Sequence, residues 1–196
     1  QCLNFAGCGN TMNCNQPFVR DLIRDGLRYC TTVVRVDGFL FDLASVLGRD
    51  QGGNIIENAP IIERIAEYPV LRDVKLTAEA WDVGGAYQVG SFGNDERWSE
   101  LNGKFRDDVR RYWINEPDSK GAFALRITGS PDLYQDDGRL PIHSVNFVTS
   151  HDGFTLCDLF SYNKKHNELN GEKNRDGTDH NFSWNCGVEG ETDEAD

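Results

Sequence analysis

A short apolar stretch with an acidic residue near its end, VDGFLFDL at residues 36–43, decides the predicted fold. An apolar run of this length, bounded by loop-forming residues, is typical of a buried strand in a parallel sheet. Apolar residues at helical spacing predict one helix over 17–30 and another over 60–66. Pro17 suits a first helical position, because the N–H that it lacks would have no intrahelical partner there. The Gly/Asn-rich segment 48–58 predicts a loop before the second helix.

Two further apolar segments predict strands, one at 74–79 and one at 144–149. Aromatic residues and glycines without periodicity fill 80–104, which is therefore predicted to be loop, whereas 106–113 is predicted to be helical. A helix is also predicted to begin near Phe154 and to turn three apolar residues inward, namely Leu156, Leu159 and Phe160. Strands that alternate with helices indicate βαβ units, so the expected fold class is α/β with a parallel sheet.

Polar groups that can do chemistry follow all three predicted strands. Asp42 lies at the end of the first, Glu79 at the end of the second, and His151 and Asp152 come directly after the third. In parallel α/β folds the loops at the carboxyl ends of the strands carry the functional groups. The sequence therefore predicts a site at that edge of the sheet.

A pair of carboxylates can catalyse glycoside hydrolysis when one stays ionised and the other acts as an acid. Asp42 and Glu79 are 37 residues apart, about the length of one βα unit, so neighbouring strands can bring them together. The alternative for each acid alone is a salt bridge or a helix cap. Several aromatic residues of the kind that stack on sugar rings lie near these acids in the sequence, and the alternative role for them is core packing. They are Trp81, Tyr87, Phe92, Trp98 and Trp113.

Composition excludes several other classes of protein. The 196 residues carry 20 basic and 32 acidic side chains, a net charge of −12, so binding to nucleic acid is disfavoured. No apolar run approaches the length of a transmembrane helix, and no membrane partner is expected. The chain opens without an initiator Met or a signal segment, as an internal fragment of a longer protein would.

The six cysteines are too dilute for a disulfide scaffold and contain no Cys-x-x-Cys, so reduced thiols are expected, with a disulfide or metal role as the alternative. Residues 172–183 imitate part of a calcium loop, but Glu172 stands at position one and Ser183 at position twelve, where a bidentate acid is required. An Asx-rich turn is favoured there, and no metal site is predicted. The acidic run 189–196 is interpreted as a solvated loop.

Three segments in order resemble signature regions of the α-amylase superfamily: VDGFLFDLAS at 36–45, AEAWD at 78–82 and NFVTSHDG at 146–153. More specifically, the chain is similar to isoamylase-type and bacterial glycogen-debranching enzymes. The supporting segments are GCGNTMNCN at 7–15, QVGSF at 88–92, KFRDDVRR at 104–111 and FSWNCGVEG at 182–190.

This resemblance implies a (β/α)₈ barrel, of which residues 1–196 would form the central part with strands four to seven. An N-terminal β-sandwich, the first barrel strands and a C-terminal β domain would lie outside this segment. The implied activity is hydrolysis, with retention, of α-1,6 branch points in glycogen, starch or a related branched α-glucan. No cofactor is implied, and the fragment alone is expected to be inactive. The expected location is cytoplasmic in a bacterium and plastidial in a plant or alga.

Matching by motif position also implies residue roles. Asp42 would be the nucleophile and Glu79 the general acid/base, while Asp152 would hold substrate hydroxyls in the transition state. His151 would contact the sugar beside Asp152. The remaining candidate substrate-binding residues are Trp81, Asp82 and Tyr87.

Leu40 departs from the family pattern, which has Arg at that position. Residues 40 and 42 of a strand point to the same face, so an Arg there would sit beside the nucleophile and donate to it. Leu does neither, which predicts weakened catalysis. The alternative function is therefore a non-catalytic, isoamylase-like glucan-binding or regulatory subunit.

Overall fold

The structure is a computed structural model that describes residues 3–93 and 96–193. The chain divides into two compact units. We call the first the sheet unit, which comprises residues 1–101 and 131–145. The second, the loop unit, comprises 102–130 and 146–196.

The sheet unit is built on four parallel strands in the order β1-β2-β3-β4. Their bounds are Gly38–Phe41 for β1, Lys75–Ala78 for β2, Trp98–Leu101 for β3 and Ser144–Val145 for β4. In the register, Leu40 lies opposite Thr77, and Thr77 lies opposite Ser99. The α/β class and the parallel sheet predicted from the sequence are confirmed.

Among the described residues of this unit there are three α-helices: α1 at Pro17–Tyr29, α2 at Pro60–Ala66 and α5 at Pro131–Tyr134. The helices predicted over 17–30 and 60–66 are confirmed, and a proline stands at the start of each. A short π-helix, Cys30–Val34, extends α1, and 3₁₀ turns lie at Ala44–Gly48, Pro69–Leu71 and Pro141–His143.

One face of the sheet packs against the helices, and the other carries polar and exposed residues. Phe39 and Phe41 of β1 are half-buried against the core, which also holds fully buried side chains such as Leu71, Leu76 and Trp98. Trp98 meets Phe41 edge to face, with ring centroids 5.0 Å apart. The alternation of side chains places Leu40 on the opposite face, where it is 56% exposed.

The described part of the loop unit contains two α-helices, α3 at Gly103–Trp113 and α4 at Ser119–Ile127. Tyr112 and Phe123 stack between them with centroids 4.0 Å apart, and Arg126 pairs with Asp108 at 3.3 Å. The side chain of Asn102 caps α3 by accepting the Phe105 N–H. Residues 146–193 are mostly irregular, with 3₁₀ turns at Asp158–Phe160 and Glu168–Asn170. Among the described residues, no helix is long and apolar enough to span a membrane.

Three expectations about secondary structure were wrong. Residues 80–104, which were predicted to be loop, contain β3. The helix predicted to begin near Phe154 is only the 3₁₀ turn Asp158–Phe160. Of the three residues expected to face inward there, Leu159 is buried, whereas Leu156 and Phe160 are about half-exposed. The strand predicted over 144–149 ends at Val145.

Candidate active site

Asp42 and Glu79 emerge side by side from the ends of neighbouring parallel strands. The ladder continues past both strands, because the Glu79 N–H donates to the Phe41 carbonyl at 3.0 Å and the Ala44 N–H donates to the Glu79 carbonyl at 2.8 Å. A carboxylate oxygen of Asp42 and one of Glu79 lie within 4.8 Å of each other. Asp42 is exposed, whereas Glu79 is 1% exposed. The sheet thus brings together two acids in different environments, as the sequence predicted.

The backbone just after Asp42 orients the Glu79 side chain. The Leu43 N–H donates to Oε2 of Glu79 at 3.0 Å. Leu43 itself has φ 46° and ψ 45°, a left-handed conformation that is rare for a branched apolar residue. Strain of this kind persists only where surrounding contacts impose it, and it concentrates at functional sites. The tight turn after β1 therefore fixes the carboxylate at the end of β2.

Leu40 lies two residues before Asp42 on the open face of β1. Phe39 and Phe41 point to the core, so the alternation puts Leu40 and Asp42 on the same side of the strand. This is the geometry that the sequence predicted for position 40. Leu40 is thus an exposed apolar residue on the strand face that carries Asp42.

Trp81 and Tyr87 form a stacked pair just beyond Glu79, which we call the aromatic platform. Their ring centroids are 6.1 Å apart with an interplanar angle of 13°. The two residues form an antiparallel bridge, and the Gln88 N–H donates to the Ala80 carbonyl at 2.6 Å. Tyr87 is half-exposed.

The side chain of Asp82 is fully buried, and other groups of the protein hydrogen-bond to its carboxylate. Nε and one NH₂ group of Arg49 donate to its two oxygens at 2.6 and 2.9 Å, and the Ala86 N–H adds a bond at 3.1 Å. Burial alone would raise the pKa of Asp82, but the Arg49 hydrogen bond, the Ala86 N–H and the Arg49 charge hold it below its ordinary value. Sequence reasoning missed Arg49.

A second buried pair anchors the far end of the same loop. Glu100 of β3 and Arg139 pair at 2.7 Å, and both side chains are almost wholly buried. Glu100 also accepts the N–H groups of Gly90 and Phe92, and Arg139 donates to the Gly90 carbonyl. The Tyr134 hydroxyl lies 3.4 Å from Glu100, and burial together with that carboxylate raises the pKa of Tyr134. Because this network of partners compensates the charge of Glu100, β3 can be buried although it contains a charged residue.

His151 and Asp152 belong to the loop unit, in an exposed turn after β4. Nε2 of His151 lies 3.8 Å from the Asp152 carboxylate, and the Asp152 N–H donates to the Ser150 hydroxyl at 3.2 Å. No strand ladder reaches this turn, which begins six residues after Val145.

Arg110 and Asn181 hold this turn at both ends. Arg110 of α3 donates to the Val148 carbonyl at 2.8 Å and to the Asn181 carbonyl at 3.1 Å. The Asn181 side chain accepts the Phe154 N–H at 3.3 Å. Burial, with a smaller effect of Arg106, lowers the pKa of Arg110 to about 10. Sequence reasoning missed Arg110 and Asn181, which no spacing rule singles out.

The other aromatic candidates divide between core and surface. Phe92 and Trp98 are fully buried and pack edge to face, so the core-packing alternative holds for them. Trp113 is exposed on the loop unit. The five described cysteines are free thiols, and Cys2 lies outside the described residues. Glu189 is exposed, as expected for a solvated run, and also accepts the N–H groups of Asn163 and Lys164. Residues 194–196 of that run lie outside the described residues.

No family model matches the chain. It is 57% identical over 192 residues to "Isoamylase 3, chloroplastic" of Oryza sativa, an alignment that covers 98% of this chain and 25% of the relative. It is 54% identical over 194 residues to "Glycogen operon protein GlgX homolog" of Mycobacterium tuberculosis, covering 98% and 26% respectively. Among solved structures, "Pullulanase from Bacillus acidopullulyticus" matches with a TM-score of 0.63 at 21% identity, over 81% of this chain and 20% of that one.

The chain therefore spans about a quarter of the length of the curated relatives that it matches. The structural match shows a shared fold, and the parallel four-stranded sheet is consistent with part of a (β/α)₈ barrel. The alignments with these relatives cover nearly the whole chain. The resemblance predicted from the sequence is thus confirmed: this chain is a homologue of isoamylases and of GlgX-type proteins.

Proposed function

We propose that the protein carrying this chain is a retaining glycoside hydrolase that cleaves α-1,6 branch points in glycogen, starch or a related α-glucan. The names of its homologues, isoamylase and glycogen operon protein, support a branched α-glucan as substrate. Residues 1–196 would form the central part of the catalytic barrel, between a preceding β-sandwich and a following β domain. By the same resemblance, the compartment is the plastid in a plant or alga and the cytoplasm in a bacterium.

The separation of the two carboxylates carries this proposal. Retaining glycosidases hold their acids about 5–5.5 Å apart, whereas inverting enzymes leave about 6.5–9.5 Å for a water molecule. One oxygen of Asp42 and one of Glu79 lie within 4.8 Å of each other, so the two acids are close enough for the retaining arrangement. The burial of Glu79 and the exposure of Asp42 suit an acid and a nucleophile, respectively.

In this mechanism, Asp42 attacks the anomeric carbon while Glu79 protonates the glycosidic oxygen that leaves. The α-1,6 bond breaks and a glycosyl ester forms on Asp42. Glu79, now ionised, takes a proton from water, and that water hydrolyses the ester and restores both acids. Asp152 would hold sugar hydroxyls in the transition state, with His151 as a sugar contact beside it. The aromatic platform would stack on a glucosyl ring.

The test uses the whole protein and a branched malto-oligosaccharide. Asp42→Asn should abolish turnover, because the nucleophile is lost. Glu79→Gln should slow glycosyl-enzyme formation, and least for substrates whose leaving groups need little protonation. Asp73→Asn is the matched control, since that acid is 90% exposed and should leave turnover unchanged. Full activity of Asp42→Asn would overturn the proposed roles.

One observation favours a second candidate, a non-catalytic glucan-binding subunit. Leu40 stands on the same strand face as Asp42. The resemblance to the α-amylase superfamily implies Arg at this position. A protein of this kind would bind branched glucan without releasing chains. Binding without turnover in the natural sequence, unchanged by Leu40→Arg, would establish the second candidate over the first.

A further inference from the structure

We propose that Arg49 is a positioning residue for the aromatic platform and that Asp82 is its anchor, in place of the direct substrate contact predicted for Asp82. This inference rests on the proposed function, because it concerns how tightly the protein holds a glucan. In this proposal, Arg49 strengthens the binding of the glucan by holding the platform in place.

The platform stands on a narrow loop whose shape depends on Asp82. The Asp82 N–H donates to the Ala86 carbonyl at 3.1 Å, and the Asp82 carboxylate accepts the Ala86 N–H. These two bonds close the turn between Trp81 and Tyr87, which pair across it. The relative position of the two rings therefore depends on where the Asp82 side chain is held.

Arg49 holds that side chain from a different segment, at the end of the 3₁₀ turn that follows β1. Its guanidinium engages both Asp82 oxygens, which fixes the carboxylate plane as well as its position. Arg49 is itself fixed, because its guanidinium lies 4.2 Å from the Phe5 ring centroid and donates to the Gly53 carbonyl. Its own carbonyl accepts the Asn15 amide at 2.8 Å. The pair thus ties the loop after β2 to the segment after β1.

Glu79 is held by other groups. Its carboxylate accepts the Leu43 N–H, and its backbone bonds to Phe41 and Ala44. Loss of Arg49 should therefore disturb the platform more than the acid/base. The expected consequence is weaker glucan binding with a smaller change in kcat.

The experiment measures the affinity of the whole protein for linear malto-oligosaccharides in an Asp42→Asn background, so that binding is separated from turnover. Arg49→Gln should weaken binding about tenfold, and Arg49→Lys less, because Lys keeps the charge but not the bidentate geometry. Arg106→Gln is the matched control: it removes a half-buried Arg–Asp pair of the same 2.6 Å length in the loop unit and should leave affinity unchanged.

A double-mutant cycle separates positioning from general destabilisation. If Arg49 acts through the platform, the double variant Arg49→Gln/Tyr87→Ala should bind glucan as tightly as Tyr87→Ala alone, because that variant already lacks one ring of the platform. The inference would be overturned if Arg49→Gln bound glucan as tightly as its parent, or if its loss added in full to that of Tyr87→Ala. Absence of glucan binding in every version, the parent included, would instead contradict the proposed function.

Discussion

At the residue scale, Leu40 is the feature that we expect to limit the proposed catalysis most. It is 56% exposed on the face of β1 that carries Asp42. An Arg at that place would stabilise the charge of a carboxylate nucleophile and fix its orientation. Charge-assisted hydrogen bonds of this kind contribute about 1.5–3 kcal/mol, so the substitution matters for rate even where the fold tolerates it.

Leu40→Arg should therefore raise kcat of the whole protein on branched glucan by roughly 10- to 150-fold, at 1.36 kcal/mol per factor of ten. KM should change far less, because the Arg acts on the nucleophile and not on distant sugars. Steady-state kinetics of both versions on one substrate provide the measurement. Leu140→Arg, at another exposed Leu of the sheet unit, is the control and should not raise kcat. An unchanged kcat in Leu40→Arg would show that position 40 has no catalytic influence.

Gly153 allows the turn that carries Asp152 to fit against Asn181. Its φ is +75°, and a Cβ there would lie 2.9 Å from Oδ1 of Asn181. Gly153→Ala should lower kcat at least about tenfold, because displacement by ~1 Å near a catalytic group is that costly. Gly171→Ala, at φ +81° with open space around it, isolates the backbone cost and should leave kcat unchanged. Equal kinetics for the two variants would mean that the contact with Asn181 does not position the turn.

At the scale of elements, long amphipathic helices and apolar strands were predictable, and elements held by charge were not. β1, β2, α1 and α2 follow local hydrophobic patterns, and the positions of Asp42 and Glu79 follow from them. β3 is as short as β1 and β2, but it contains Glu100, whose burial depends on Arg139 far along the chain. No local pattern reports such a partner.

The same limit applies to the candidate site. The acids and aromatic residues stand in recognisable segments, so their identity was predictable. Arg49, Arg110 and Asn181 act through contacts between segments 33 to 71 residues apart. These contacts exist only after folding, which is why the sequence did not reveal them.

The segment 163–189 of the loop unit depends on Glu189. Its carboxylate accepts the Asn163 N–H first of all and also bonds His166, and these contacts lower its pKa from 4.5 to about 2. A lowered pKa in the folded state means that the stabilisation is present above about pH 4.5 and is lost as the pH falls toward 2. The protection of the Asn163 and Lys164 amides against hydrogen exchange, measured relative to an unstructured chain at the same pH, should therefore fall in that window. Glu189→Gln should show low protection at every pH; a pH step in protection that survived in this variant would assign the effect to another group.

At the scale of the whole molecule, the chain corresponds to about a quarter of its relatives, and the sheet unit leaves two strand edges, β1 and β4, open among the described residues. Open edges and exposed apolar side chains, such as Leu40 and Ile142, favour association between chains. The polypeptide 1–196 expressed alone should therefore aggregate or unfold without a sharp transition. Sedimentation and thermal melting provide the measurement, and a stable monomer with a cooperative melt would contradict the expectation.

The central claim is that Asp42 and Glu79 hydrolyse a branched α-glucan with retention, and the anomeric form of the first product tests it most directly. Proton NMR during the first minutes of reaction, with the whole protein and a branched malto-oligosaccharide, distinguishes the new reducing end before mutarotation. Carboxylate oxygens within 4.8 Å of each other predict that the α-anomer appears first and the β-anomer only later. A β-anomer that appeared first, or no new reducing end at all, would contradict the account.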